Sequence, residues 1–138
     1  MKRATAIRYS VEVARRLHSI NGLLATPICR NEFVKISRVW VFGSTAKGSQ
    51  NPNDLDLMIE IKECGRHKTW RQSTVDKRYH RSYGIRAAPE SRDYALKWLT
   101  KGMKLVSRHC TDSDPVVLDV KTMIYPRFEL AYDFGVTA

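Results

Sequence analysis

The pattern of apolar and polar residues predicts two strands joined by a glycine-containing turn within residues 39–61. Residues 39–42 form an apolar, β-prone run that ends at Gly43. In a strand, alternate side chains point to opposite faces. Asp54 and Asp56 of the second strand therefore share one face, and the opposite face consists of Leu55, Leu57, Ile59 and Ile61.

Helix-like spacing of apolar residues predicts one helix before this unit and another after it. The first covers residues 4–21, and its apolar face comprises Ala6, Ile7, Val11, Val13, Ala14, Leu17, Ile20 and Leu24. The second begins at a cap formed by Ser91, and its buried face comprises Ala95, Trp98, Leu99, Gly102 and Val106. Because a further β-rich run follows Pro115, the chain is expected to have mixed α and β structure.

The turn after the first strand has the composition of an anion-binding loop. Gly43 permits close backbone approach, Ser44 adds a hydroxyl donor and Lys47 adds positive charge. The start of a short helix, stopped at Gly48, would add unpaired N–H donors. The glycine spacing matches neither the lysine-containing phosphate loop nor the dinucleotide fingerprint, so those nucleotide folds are disfavoured.

The two aspartates predict a divalent metal site. Same-face residues of a strand lie roughly 6.6 Å apart, so the carboxylates of Asp54 and Asp56 can converge on one cation or bracket two. Two like charges in apolar sequence would otherwise cost on the order of several kcal/mol. Hard oxygen ligands favour Mg²⁺ or Mn²⁺ over zinc. The alternative is that both carboxylates face water on a half-exposed edge strand.

These residues together form a recognisable signature. Phe42-Gly43-Ser44, followed after nine residues by Asp54-Leu55-Asp56-Leu57, resembles the polymerase-beta-like nucleotidyltransferase superfamily. The turn that ends in Ala46-Lys47-Gly48 is most similar to the small bacterial minimal nucleotidyltransferases, which usually have arginine where Lys47 stands. The resemblance covers about a sixth of the chain. It implies an α+β nucleotidyltransferase fold, a small mixed β-sheet flanked by α-helices.

The resemblance also implies a third acidic residue on a later strand. Asp119, within Leu118-Asp119-Val120, fits this position, and the alternative is an outward-facing aspartate beside Lys121. Asp76 and Asp93 are rivals that lack flanking strand residues.

In the implied reaction, the nucleoside triphosphate, with ATP favoured, binds at Gly43, Ser44 and Lys47. Mg²⁺ or Mn²⁺ binds at Asp54, Asp56 and Asp119. An unidentified acceptor hydroxyl then attacks the α-phosphorus, and pyrophosphate leaves.

Positive charge is concentrated in one part of the chain. The formal net charge is +10, and residues 62–109 contain 13 Lys and Arg but only 4 Asp and Glu. We expect these residues to form a basic, largely helical insertion within a single domain of residues 1–138. The predicted helix of this insertion carries a basic stripe with helical spacing, which consists of Lys97, Lys101, Lys104 and Arg108. This stripe would bind a polyanion. The alternative is an ordinary solvated face.

Three functions are consistent with the sequence. The first is a metal-dependent nucleotidyltransferase that modifies an RNA, DNA or protein acceptor. The second is a catalytically inactive nucleic-acid-binding protein, and the third is an antitoxin-like module that binds a helical, toxin-like protein partner. No apolar run approaches the roughly 20 residues of a membrane helix, and three widely spaced cysteines do not suggest a disulfide framework. A cytoplasmic location is therefore expected.

Overall fold

The computed structural model describes residues 1–26, 32–66, 89–111 and 121–130. The elements in chain order are α1 (Arg3–Ser19), β1 (Leu23–Thr26), β2 (Glu32–Phe42), α2 (Gly43–Ala46), β3 (Leu55–Arg66), α3 (Pro89–Leu99), β4 (Val106–Cys110) and β5 (Lys121–Tyr125). The predicted strand pair and the short helix between them correspond to β2, α2 and β3.

The five strands form one mixed sheet. Four of them follow the order β1-β2-β3-β4, and β5 pairs with β2. The β3–β4 pair is parallel, whereas β2 is antiparallel to β1, β3 and β5. The long β2 strand accommodates β1 near its start, at residues 32–35, and β5 near its end, at residues 39–42. The α+β class and the small mixed sheet are thus confirmed.

The main core lies between the sheet and the two longer helices. On α1 the fully buried apolar residues include Ile7, Val13 and Leu17, and α3 contributes Ala95 and Leu99. The sheet contributes residues with no exposed surface, among them Val39, Val41, Leu55, Leu57, Ile59 and Ile124. Full burial of a side chain of this size stabilises the fold by about 1.5–3 kcal/mol. The alternation predicted for β3 therefore places its apolar face in the core.

The first helix agrees with the prediction except at its end. It stops at Ser19, after which Asn21 and Gly22 adopt positive φ angles of 53° and 73°. The amide N–H of Gly22 donates to the carbonyl of Leu17 at 2.9 Å, which satisfies one of the last helical acceptors. Leu24, predicted to extend the helical face, instead lies in β1 and is buried there.

The second helix is shorter than predicted. It begins at Pro89, so Ser91 is its third residue and does not cap it, and it ends at Leu99. The guanidinium of Arg16 donates to the carbonyls of Trp98 and Leu99 at 3.2 and 3.1 Å and to that of Lys101 at 2.9 Å. These bonds satisfy carbonyls at the end of the helix.

The predicted helical continuation is wrong. Gly102 lies in a turn with φ of 84°, and Val106 begins β4. The described parts of residues 62–109 consequently contain the end of β3, helix α3 and strand β4. Residues 67–88 lie outside the described residues, so the single domain and its largely helical insertion stay predictions. Within the described residues, no helix has the length and apolar character needed to cross a bilayer.

Candidate active site

Strand pairing aligns the predicted aspartate with residues from three other strands. In register across β5, β2, β3 and β4 lie Lys121, Phe42, Asp56 and Ser107, which we call the outer row. The next pairs on the same face are Met123, Trp40, Met58 and His109, which we call the inner row. Directly paired residues share a sheet face. Both rows therefore lie on the face opposite the core residues of α1 and α3.

The glycine turn lies directly against the aspartate pair. Gly43 follows Phe42, which pairs with Asp56, and it adopts a left-handed φ of 71°. A Cβ atom at Gly43 would collide with the Oδ2 atom of Asp56. The absence of a side chain thus lets the carboxylate pack against the turn. Two segments that are separated in sequence form one continuous surface.

The turn is tied to α1 by two hydrogen bonds from Arg3. The buried Arg3 side chain donates to the carbonyl of Thr45 at 2.7 Å, and the Arg3 amide donates to the carbonyl of Gln50 at 2.9 Å. Thr45 has no exposed surface. Ser44 is half-buried and Lys47 is exposed, so both lie near solvent at the edge of the turn.

Asp54 is oriented by a residue of β4. Its Oδ2 atom accepts a hydrogen bond of 2.8 Å from the hydroxyl of Ser107. A backbone hydrogen bond of 2.8 Å from Leu55 to the carbonyl of Leu105 ties the starts of β3 and β4 together. The sequence interpretation missed Ser107 because it extended the preceding helix through this segment. Gly102 was the available signal, since glycine commonly marks a helix end.

The electrostatics of the pair disfavour two ionised carboxylates. Burial raises the pKa of Asp56, and the charge of Asp54 and hydrogen bonding to it raise that pKa further. The charge of His109 acts in the opposite direction. Burial and the nearby charge therefore disfavour the ionised form of Asp56, which a bound cation would favour.

Carboxylate oxygens are the kind of donor that Mg²⁺ or Mn²⁺ prefers. Asp54 and Asp56 provide two carboxylates, and the described residues contain no group of three or more His, Cys, Asp or Glu side chains that could hold a metal ion. Asp119 lies outside the described residues. Lys121, two residues later in the sequence, is the first residue of β5 and pairs with Phe42.

Aromatic and cationic groups surround the carboxylates. Phe42 and His109 contact each other edge to face, with ring centres 5.2 Å apart. The ammonium of Lys121 lies 4.5 Å from the centre of the Trp40 ring, a cation–π contact. Lys121 and Asp56 are two strands apart, roughly 10 Å at the backbone. The outer row thus presents a positive and a negative group on either side of Phe42.

The predicted basic stripe is not a stripe on one helix. Lys97 lies on α3 and pairs with Asp93 at 2.9 Å, while Lys101 and Lys104 lie in the connection that follows. Arg108 is on β4 between two residues of the site face, so it points to the other face, where it donates to the Thr100 hydroxyl at 3.4 Å. None of the four lies in the two rows, and their binding to a polyanion stays a prediction.

The fold and site define an α+β protein with paired carboxylates beside a glycine–serine turn at the end of a mixed sheet. Comparison of the chain with protein-family models, with curated proteins and with solved structures finds no significant match.

Proposed function

We propose that the protein is a metal-dependent nucleotidyltransferase, which transfers a nucleoside monophosphate from a triphosphate, with ATP favoured, to an acceptor hydroxyl. The observation that supports this most is the contact between the Gly43 backbone and the Asp56 carboxylate. In the signature that the sequence resembles, these two segments bind the phosphates and the metal of one substrate. The proposed function requires that the turn and the aspartate strand be in contact.

The carboxylates of Asp54 and Asp56 would hold Mg²⁺ or Mn²⁺, with Asp119 as a third ligand. When bound, the cation polarises phosphoryl oxygens and offsets the charge of the leaving pyrophosphate. Asp119 is also the candidate to accept the proton of the attacking hydroxyl. The raised pKa of Asp56 supports a cation site, because a bound cation would stabilise both carboxylates in their ionised form.

The turn would hold the triphosphate. The N–H groups at the start of its short helix and the Ser44 hydroxyl can donate to phosphate oxygens, and the exposed Lys47 can add a point charge. Arg3 would keep the turn in register with β3 by binding the Thr45 carbonyl. Since Asp56 touches the turn, phosphates bound there would lie beside the metal ligands.

Calorimetry of ATP binding tests the proposal. The native chain should bind ATP in the presence of Mg²⁺, and binding should weaken at least about tenfold in EDTA and in the Asp54→Asn, Asp56→Asn double variant. Glu60→Gln, which neutralises another acid of β3, is the matched control and should bind as the native chain does. Binding that is independent of Mg²⁺, or that survives in the double variant, would contradict the proposal. Pyrophosphate release then reports turnover once an acceptor is supplied.

The charge of the chain supports one alternative, a nucleic-acid-binding protein without catalysis. A net charge of +10 favours phosphate backbones irrespective of sequence. This alternative predicts salt-dependent RNA binding that persists in the same double variant, with no ATP binding in either chain.

A further inference from the structure

Ser107 makes a polar contact with the candidate site that comes from outside the signature. Its hydroxyl donates to Asp54 Oδ2 at 2.8 Å, within the usual range for an O–H···O bond. Hydrogen bonds to an ionised acceptor are roughly twice as strong as neutral ones. The hydroxyl satisfies one carboxylate oxygen of Asp54.

Asp54 needs such a partner more than Asp56 does. Asp56 belongs to β3 and pairs with Phe42 on one side and Ser107 on the other. Asp54 precedes β3 and has no partner in the described strand ladders. Repulsion from Asp56 would turn a free Asp54 carboxylate toward water. The Ser107 bond opposes that rotation.

The position of Ser107 is fixed by the parallel pairing of β3 and β4. Val106 pairs with Leu55 and Ser107 pairs with Asp56, so the hydroxyl is on the carboxylate face. The backbone bond from Leu55 to Leu105 fixes the same register. Ser107 is half-buried, so it is partly shielded from water. The bond to Asp54 therefore follows from the sheet and does not depend on a mobile surface side chain.

We propose that Ser107 is a positioning residue that orients the Asp54 carboxylate for a divalent cation. The proposal rests on the function proposed above, because it requires that Asp54 and Asp56 bind a metal. Groups that orient metal ligands typically contribute about 10- to 100-fold to metal affinity. Ser107 would act through Asp54, without touching the cation.

Binding of Mn²⁺ alone, followed by electron paramagnetic resonance, tests the role without an assay of activity. Ser107→Ala should weaken Mn²⁺ affinity by about 10- to 100-fold. Ser107→Thr keeps the hydroxyl and suits a strand, so its affinity should stay within about threefold of the native value. Thermal unfolding of each variant establishes that the fold is retained.

Ser37→Ala is a matched control for loss of a serine–carboxylate bond in this sheet. The Ser37 hydroxyl donates to Glu60 Oε1 at 2.6 Å between β2 and β3, away from the two rows. Removing it should cost stability as Ser107→Ala does, while Mn²⁺ affinity stays native. An equal loss of affinity in both serine variants would overturn the proposal, because it would assign the effect to general loosening of the sheet.

Two further outcomes separate this inference from the proposed function. If Asp56→Asn loses Mn²⁺ binding but Ser107→Ala does not, or if Ser107→Thr binds as weakly as Ser107→Ala, the positioning role is overturned and the metal site stands. If the native chain and Asp56→Asn bind Mn²⁺ equally weakly, the metal site is overturned, and the role of Ser107 is overturned with it.

Discussion

Replacement of Asp56 by asparagine should stabilise the metal-free protein, although it removes a proposed metal ligand. Burial and the neighbouring Asp54 raise the pKa of Asp56 in the folded chain. At neutral pH the ionised Asp56 side chain therefore has a higher free energy in the folded state than in the unfolded state. Asparagine keeps the shape of the side chain and removes the charge.

The expected gain follows from the separation of the two carboxylates. Hydrogen bonding between the two carboxylates places their charges roughly 4 Å apart. Two unit charges about 4 Å apart repel by about 1 kcal/mol at the dielectric constant of water and by about 4 kcal/mol at an effective value of 20. Because Asp56 is only half-buried, solvent screening favours the lower part of this interval. We expect a gain of about 1 kcal/mol, or about 3 to 5 °C in Tm.

The pH dependence of the difference has a definite sign. A raised folded-state pKa means that the folded chain binds the proton of Asp56 more tightly than the unfolded chain does. Binding of this proton stabilises the folded state in acid. That stabilisation is lost as pH rises from the ordinary aspartate pKa, about 3.9, through the folded-state pKa. The native chain and Asp56→Asn should consequently be equally stable in acid and should diverge as pH rises, with the variant more stable.

Urea unfolding in EDTA across this pH range measures the effect. Glu60→Gln is the control on the same strand, because Glu60 accepts a bond from Ser37 and faces Arg38 at 3.8 Å. Where no second carboxylate is close, removing a negative charge from a chain of net charge +10 should leave the free energy of unfolding unchanged or lower it. Glu60→Gln should show that result. A loss of stability in Asp56→Asn at pH 7 would refute the argument that the two carboxylates repel. Added Mg²⁺ should reduce the difference by stabilising only the native chain.

Two further predictions concern the turn. Gly43→Ala should destabilise the fold by about 1–2 kcal/mol for its left-handed φ of 71° and should also weaken ATP binding by displacing Asp56. Gly48→Ala, at φ of 90° in open space, should lower stability in thermal unfolding as much as Gly43→Ala does but weaken ATP binding less. Equal effects on ATP binding would exclude the collision with Asp56 as the cause. Arg3→Met should cost about 1.5–3 kcal/mol in urea unfolding, because the Thr45 carbonyl loses a charged donor. Arg15→Met, which breaks an exposed pair with Glu12, should have little effect on stability, and a comparable loss in both variants would contradict a special role for Arg3.

Local periodicity was sufficient for the elements that carry the signature. The period of two in residues 54–61 places Leu55, Leu57 and Ile59 in the core, and the structure buries all three completely. The helical period predicts α1 because a single face of that helix meets the sheet. In both cases the information needed lies within a few neighbouring residues.

Periodicity failed where a distant residue decides the outcome. Gly102 and Val106 happen to continue the helical spacing of Ala95 and Leu99, but the helix ends where Arg16 binds its last carbonyls. Arg16 belongs to α1, more than 80 residues earlier in the chain. Ser107 was missed because the predicted helix was extended past Gly102, and because the pairing of β3 with β4 that brings Ser107 beside Asp54 is a tertiary contact. Asp119, which lies outside the described residues, stays a prediction.

On β2 and β3, the inner row of the site face is more buried than the outer row. In the inner row, Trp40 is 9% exposed and Met58 is 3% exposed, so these side chains pack as core residues do. In the outer row, Lys121 is exposed and Asp56 is half-buried. On these two strands the outer row is therefore more accessible to solvent, while the inner row packs the strands together. Because the Lys121 ammonium also contacts the Trp40 ring, the inner row helps to position the lysine of the outer row. An anionic substrate bound between Lys121 and a cation at Asp56 would thus be aligned by the sheet.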